Sequence, residues 1–209
     1  MTSAVQSSTS ADYTEVPFVV RSGVMLGILQ SVLVFAFSFA SRLLEGTPEL
    51  IVRAIILLIG IGATTLLPGI WTRARTIEGI AGAAGIGLMA TGVFLVVDAL
   101  LLQNLGTYTN RWLAIGGGSN WWYHPVWWMV GTYLPWMGAW ILAHQADRGQ
   151  RQSIVPMMTG ALAFTVLVGV AAVLIHFPGA RWNVATFGIA FLPGLALATL
   201  FSGMRRRAG

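Results

Sequence analysis

Few side chains in this sequence could do chemistry. Asp98, His124 and His176 are the residue types that hold a divalent metal, and the two histidines alone could hold haem iron, because neutral imidazoles and a carboxylate are the ligands such ions take. No local motif joins the three. Their grouping rests on depth in the chain's architecture, and each has a plainer role available. A histidine at a helix end usually hydrogen-bonds backbone or faces an interface, and Asp98 could pair with an arginine such as Arg111 or Arg181. Cysteine is absent, which removes disulfides, thiolate metal sites, iron–sulfur clusters and cysteine nucleophiles together.

Hydrolase and nucleotide motifs fail on their spacing. Ser119 lies near His124, but Trp121 stands where a nucleophile elbow needs glycine. The run Gly116-Gly117-Gly118 has no Lys-Ser or Lys-Thr after it, so it reads as loop punctuation and not as a phosphate cradle. Gln30, inside an apolar run, is expected to hydrogen-bond a neighbouring helix.

The densest signal is aromatic. Seven of the nine tryptophans and three of the four tyrosines fall between Tyr108 and Trp140. An interfacial belt accounts for Trp121, Trp122 and Trp127, but not for Tyr133 and Trp136, which lie near the middle of their apolar segment. Trp128, Thr132, Trp136 and Trp140 follow four-residue spacing and form one face of a helix. Such a face could pack on other helices, on another subunit, or on a planar or polyene pigment. Trp128, Tyr133, Trp136 and Trp140 are therefore the candidate cofactor-binding residues, with haem, pigment or a divalent metal as the possible groups.

These residues need elements to position them, and composition says which. Of 209 residues 56% are hydrophobic and 9% charged, against about 25% charged in a soluble domain. Six apolar segments, about 18–40, 50–71, 78–102, 125–144, 154–176 and 183–204, are each long enough to cross a hydrocarbon core of about 30 Å. The expected fold is all-α, a polytopic membrane helix bundle of about six transmembrane helices spanning 15–204. Residues 1–14 form a polar tail and 205–209 a basic one. Ser38-Phe39-Ala40 imitates a signal-peptidase site, but the apolar stretch before it is too long and no basic segment leads it, so the first span is read as an anchor.

All twelve cationic residues are arginines, mostly at the ends of apolar runs. With the amino terminus inside, Arg21, Arg73, Arg75, Arg148, Arg151, Arg205, Arg206 and Arg207 face the cytoplasm and Arg42, Arg53, Arg111 and Arg181 face out, as the positive-inside rule requires. Both termini are then cytoplasmic, in the cell's inner membrane. The net charge of +5 is explained by headgroups, and no nucleic-acid partner is expected. This orientation also puts Asp98, His124 and His176 in one outer layer.

Two packing signals complete the reading. Gly79, Ala83, Gly87 and Thr91 make a small-residue stripe that lets a second backbone approach, and Pro135 interrupts the hydrogen-bond ladder of the fourth span. With no dense catalytic motif, the sequence leans away from an enzyme. It points first to an accessory or scaffold subunit of a larger, energy-conserving membrane complex, with lipids and other membrane subunits as partners. A small membrane-embedded enzyme or metal-binding protein using Asp98, His124 and His176 comes second, and a transporter third. In the subunit reading part of the tryptophan face stays open to lipid, Trp136 above all.

Overall fold

The computed structural model describes residues 12–108, 123–149 and 153–204. Among them are six α-helices and no strand: α1 Val16–Leu43, α2 Thr47–Trp71, α3 Ile77–Val97, α4 Tyr123–Asp147, α5 Ile154–Leu174 and α6 Val184–Met204. A π-helical turn, Asp98–Leu102, continues α3. Five of the helices, α3 with its π-turn included, are long and apolar enough to cross a membrane. The sixth, α4, has 25 residues, about 37 Å at 1.5 Å each. The chain is thus a helical membrane bundle.

Helix ends follow from local chemistry. Pro17 and Pro48 sit in the first turns of α1 and α2, where a missing N–H is harmless. The α2 and α5 carboxyl ends close with paired backbone bonds: Arg73 N–H to Ile70 O (3.1 Å) with Ala74 N–H to Gly69 O (3.0 Å), and His176 N–H to Val173 O (3.2 Å) with Phe177 N–H to Ala172 O (2.9 Å). The closing residues, Arg73 (φ 50°) and His176 (φ 55°), are left-handed positions that glycine usually fills. Thr76 caps α3, accepting from Gly79 N–H. Asp12 reinforces it from outside, taking the Thr76 N–H at 2.9 Å and the Thr76 hydroxyl at 2.6 Å. Asp12 also occupies the space a Cβ on Gly79 would need, and Thr14 the space beside Gly82. The last three positions of the expected polar tail are therefore seated on the bundle.

α3 lies at the centre, packed on α1, α2 and α4; α4 also packs on α2 and α6, and α5 packs mainly on α6. The α3 stripe meets α4 in antiparallel register. Ala83 clusters with Ala139, Gly87 lies under Pro135 and the Gly131 carbonyl, and Thr91 lies against Gly131. Each step of four residues up α3 matches a step of four down α4, as close small-residue packing requires. Pro135 has no N–H to give the Gly131 carbonyl, and that carbonyl points onto Gly87 where a Cβ would collide with it. On the α2 side, Gly138 lies against the Thr65 backbone and a Cβ on Gly69 would come within 2.9 Å of Ala139 Cα.

Candidate functional site

Asp98 begins the π-turn and is completely buried. One carboxylate oxygen, Oδ1, accepts the Tyr108 hydroxyl, and Oδ2 accepts the Gln103 side-chain amide at 2.8 Å. Gln103 reaches it because the π-turn places the fifth residue, not the fourth, over Asp98; the Gln103 N–H also bonds the Asp98 carbonyl at 3.0 Å. The 103–108 segment is held from the other side by α1, where Ser38 donates to the Thr107 carbonyl and Arg42 to that of Gly106. Asp98 is thus a clamp on the chain leaving α3. Among the described residues the one salt bridge is Glu49–Arg53 at 3.0 Å, so Asp98 is held by neutral donors there and not by Arg181.

The metal trio includes His124, which the described side chains leave out; among the described residues no three His, Asp or Glu side chains converge. His176 is not the last residue of a span. It lies two residues past Leu174 in an exposed left-handed turn before Pro178, which cannot continue a helix. His124 falls in the first turn of α4, and its side chain lies outside the described residues. Gln30 does what the sequence led one to expect, donating to Thr64 Oγ1 on α2 at 3.1 Å.

The tryptophan face of α4 is the second feature. Trp128, Trp136 and Trp140 are 39%, 43% and 37% exposed, with Trp136 the most open. A four-residue row drifts around a 3.6-residue helix, so the strip crosses the open side of α4 diagonally. It starts at Trp128, whose ring edge covers Gly92 of α3. It ends at His144, whose Nδ1 lies 3.0 Å from Ser202 Oγ on α6. Trp136 and Trp140 stand 6.1 Å apart between ring centres. Tyr133 is not part of the strip: it is half-buried and its hydroxyl donates to the Leu192 carbonyl of α6 at 2.7 Å.

Hydrogen bonding along the strip is uneven. Trp140 Nε1–H donates to His144 Nε2 at 2.9 Å, which makes Nε2 an acceptor and leaves the ring proton on Nδ1, facing Ser202. Thr132 donates to the Trp128 carbonyl at 2.8 Å. The indole N–H groups of Trp128 and Trp136 have no hydrogen-bond partner among the described residues. Trp128 lies near the amino end of α4. Trp136 stands just past the midpoint of the 25-residue α4.

Several functional positions were not legible in the sequence. Gln103 and Tyr108 are five and ten residues from Asp98, spacings that neither α-helix nor strand periodicity flags. Gln145 is another: its amide accepts the Ser153 N–H at 2.7 Å and donates to the Ser153 carbonyl at 3.1 Å, fastening the α4–α5 connection.

Fold and site define the class: a polytopic helical membrane protein whose fourth helix carries an open tryptophan face. Comparison with known proteins finds no matching family model, curated protein or solved structure.

Proposed function

We propose that this chain is a non-catalytic docking subunit, an accessory or scaffold component of a membrane assembly that presents the α4 tryptophan strip to a neighbouring transmembrane helix. One observation carries the reading. α4 packs glycine against backbone on α2 and α3, yet its remaining face exposes three indoles, and one of them, Trp136 just past the helix midpoint, has no partner for its N–H among the described residues. Aromatic anchors of this kind concentrate binding energy at interfaces, and an indole N–H in hydrocarbon favours a neighbour that accepts it. The arginine distribution supports an inner-membrane orientation with both termini cytoplasmic.

The test is native mass determination after mild detergent extraction. The chain should travel at a mass above its own 22.4 kDa, and the Trp136→Leu, Trp140→Leu pair should release it as a folded monomer. A wild-type protein that is monomeric in native membranes, or a double variant that unfolds while surviving molecules keep their partners, would overturn the reading. Because the chain lacks cysteine, orientation is checked separately with single cysteines at Ser119 and Ser153 and an impermeant thiol reagent. The first should label from outside and the second should not.

A further inference from the structure

His144 sits where α4 meets α6, and the hydrogen bonds around it assign each proton in a short relay. Trp140 Nε1–H donates to His144 Nε2 at 2.9 Å. His144 Nδ1 lies 3.0 Å from Ser202 Oγ. The Ser202 hydroxyl gives its own proton to the Thr199 carbonyl at 2.7 Å, so toward His144 it can only accept. The neutral ring therefore carries its proton on Nδ1, and its basic lone pair, on Nε2, already holds the Trp140 N–H. Gly203 leaves room for the ring: a Cβ there would stand 3.4 Å from His144 Cε1.

A second proton on this ring has one place to go, and that is Nε2. We infer that His144 is a proton-sensitive fastener of the α4 strip: charging the ring puts an N–H on Nε2, expels the Trp140 donor, and leaves the Nδ1–H bond to Ser202 in place. The relay is cut at its α4 end while the α4–α6 bond survives. On its own helix, Asp147 and Arg148 lie three and four residues on, spacings that share a face. Asp147 attracts the added proton; Arg148, whose Nη1 donates to the Ser202 carbonyl at 2.9 Å, repels it. α6, Val184–Met204, has no acidic, basic or histidine residue, and Arg205 follows it in sequence. α2 and α3, the other neighbours of α4, bring Arg73, Arg75 and Glu78 to this end. Of these, Arg73 lies over the Tyr13 ring and Glu78 bonds Thr76. Every bond in the relay lies within one chain, so the inference holds whether or not the strip docks a partner.

The test is nuclear magnetic resonance of the full chain in detergent, with the histidine and tryptophan ring nitrogens isotopically labelled. His144→Gln and Trp140→Phe assign the two signals. At about pH 8 the His144 ring should be the Nδ1–H tautomer. Lowering the pH to about 5, across the range where imidazole changes charge, should shift the Trp140 indole N–H with the same midpoint as the His144 ring. Trp71, packed beside Leu26 and Ile86, should not move. His144→Gln keeps an acceptor that cannot charge, and should abolish the Trp140 shift. Ser202→Ala removes the Nδ1 acceptor but not the carbonyl that holds Arg148. It should release the tautomer preference, and Ser202→Thr should keep it. The Nε2–H tautomer at about pH 8, or no protonation of His144 by about pH 5, would overturn the inference. So would a Trp140 signal that ignores His144 protonation or still titrates in His144→Gln. A shift shared by Trp71 would mark loss of the fold and count against it equally.

Discussion

The two sides of α4 solve the same problem in opposite ways. Toward α2 and α3, Gly131, Gly138 and Ala139 bring the backbones into contact, and the Pro135 ring lies on Gly87. Toward the lipid the same helix carries Trp128, Trp136 and Trp140. Without a hydrophobic drive between helices in lipid, cohesion comes from close packing. The small-residue side therefore holds the bundle together, and the aromatic side is left for something the single chain does not contain. A helix face that tolerates no added methyl group lies next to one that should tolerate wholesale change.

The sharpest way to break that contrast is to put volume on the closed side. Gly131→Val would drive side-chain atoms into Thr91. It should destabilise the bundle by about 3 kcal/mol, the upper end for overpacking, read as loss of thermal stability in detergent. Trp136→Leu should change monomer stability by no more than about 0.5 kcal/mol. Equal losses for the two variants would erase the distinction between the faces.

The Asp98 clamp offers an intermediate effect, because it is polar yet fully engaged within the chain. Asp98→Ala strands the Tyr108 hydroxyl and the Gln103 amide, at about 2 kcal/mol. Proteolytic cutting within 103–108 should rise in parallel. Asp98→Asn keeps an acceptor and should lose clearly less. If Asp98→Ala leaves stability and cutting unchanged, the clamp is not what holds this segment.

The smallest effect concerns His176. Its backbone closes α5 in a left-handed conformation and its side chain is exposed. His176→Gly should stabilise the protein by up to about 1 kcal/mol, the penalty of a Cβ in that region. Metal analysis of the purified protein should be the same before and after the change. A loss of bound metal in the variant would revive ligation by His176 and shift attention from α4 to the α5–α6 connection.

Much of the fold was legible because hydrophobicity and length act locally. The segments drawn at 50–71 and 183–204 come within a few residues of α2 and α6, since each ends where apolar residues meet Pro, Gly, Arg or Asn. The stripe at Gly79, Ala83, Gly87 and Thr91 predicted close packing, and three of its members meet α4 as small-residue spacing implies. The candidate site was less legible. Depth placed Asp98 and His176 in one layer, but depth says nothing about direction. Asp98 turned inward to Gln103 and Tyr108 through a π-turn, which no periodicity reveals. His176 fell outside its helix because Pro178 ended the span sooner than apolar content suggested.

By itself the sequence determined a helical bilayer protein, the approximate limits of its six helices, an arginine bias along the chain, and which helix would carry the aromatic face. Those properties depend on composition and on neighbours within a few residues, where burial free energy and helical geometry act. Tertiary structure alone decided which side of α4 would be closed and which open, that Asp12 would brace the Thr76 cap of α3, and that Tyr133 would bond α6. Those outcomes depend on which backbone carbonyl or side chain from a distant part of the chain arrives within about 3 Å, and hydrogen bonds are too short-ranged and directional to be read from spacing along one helix.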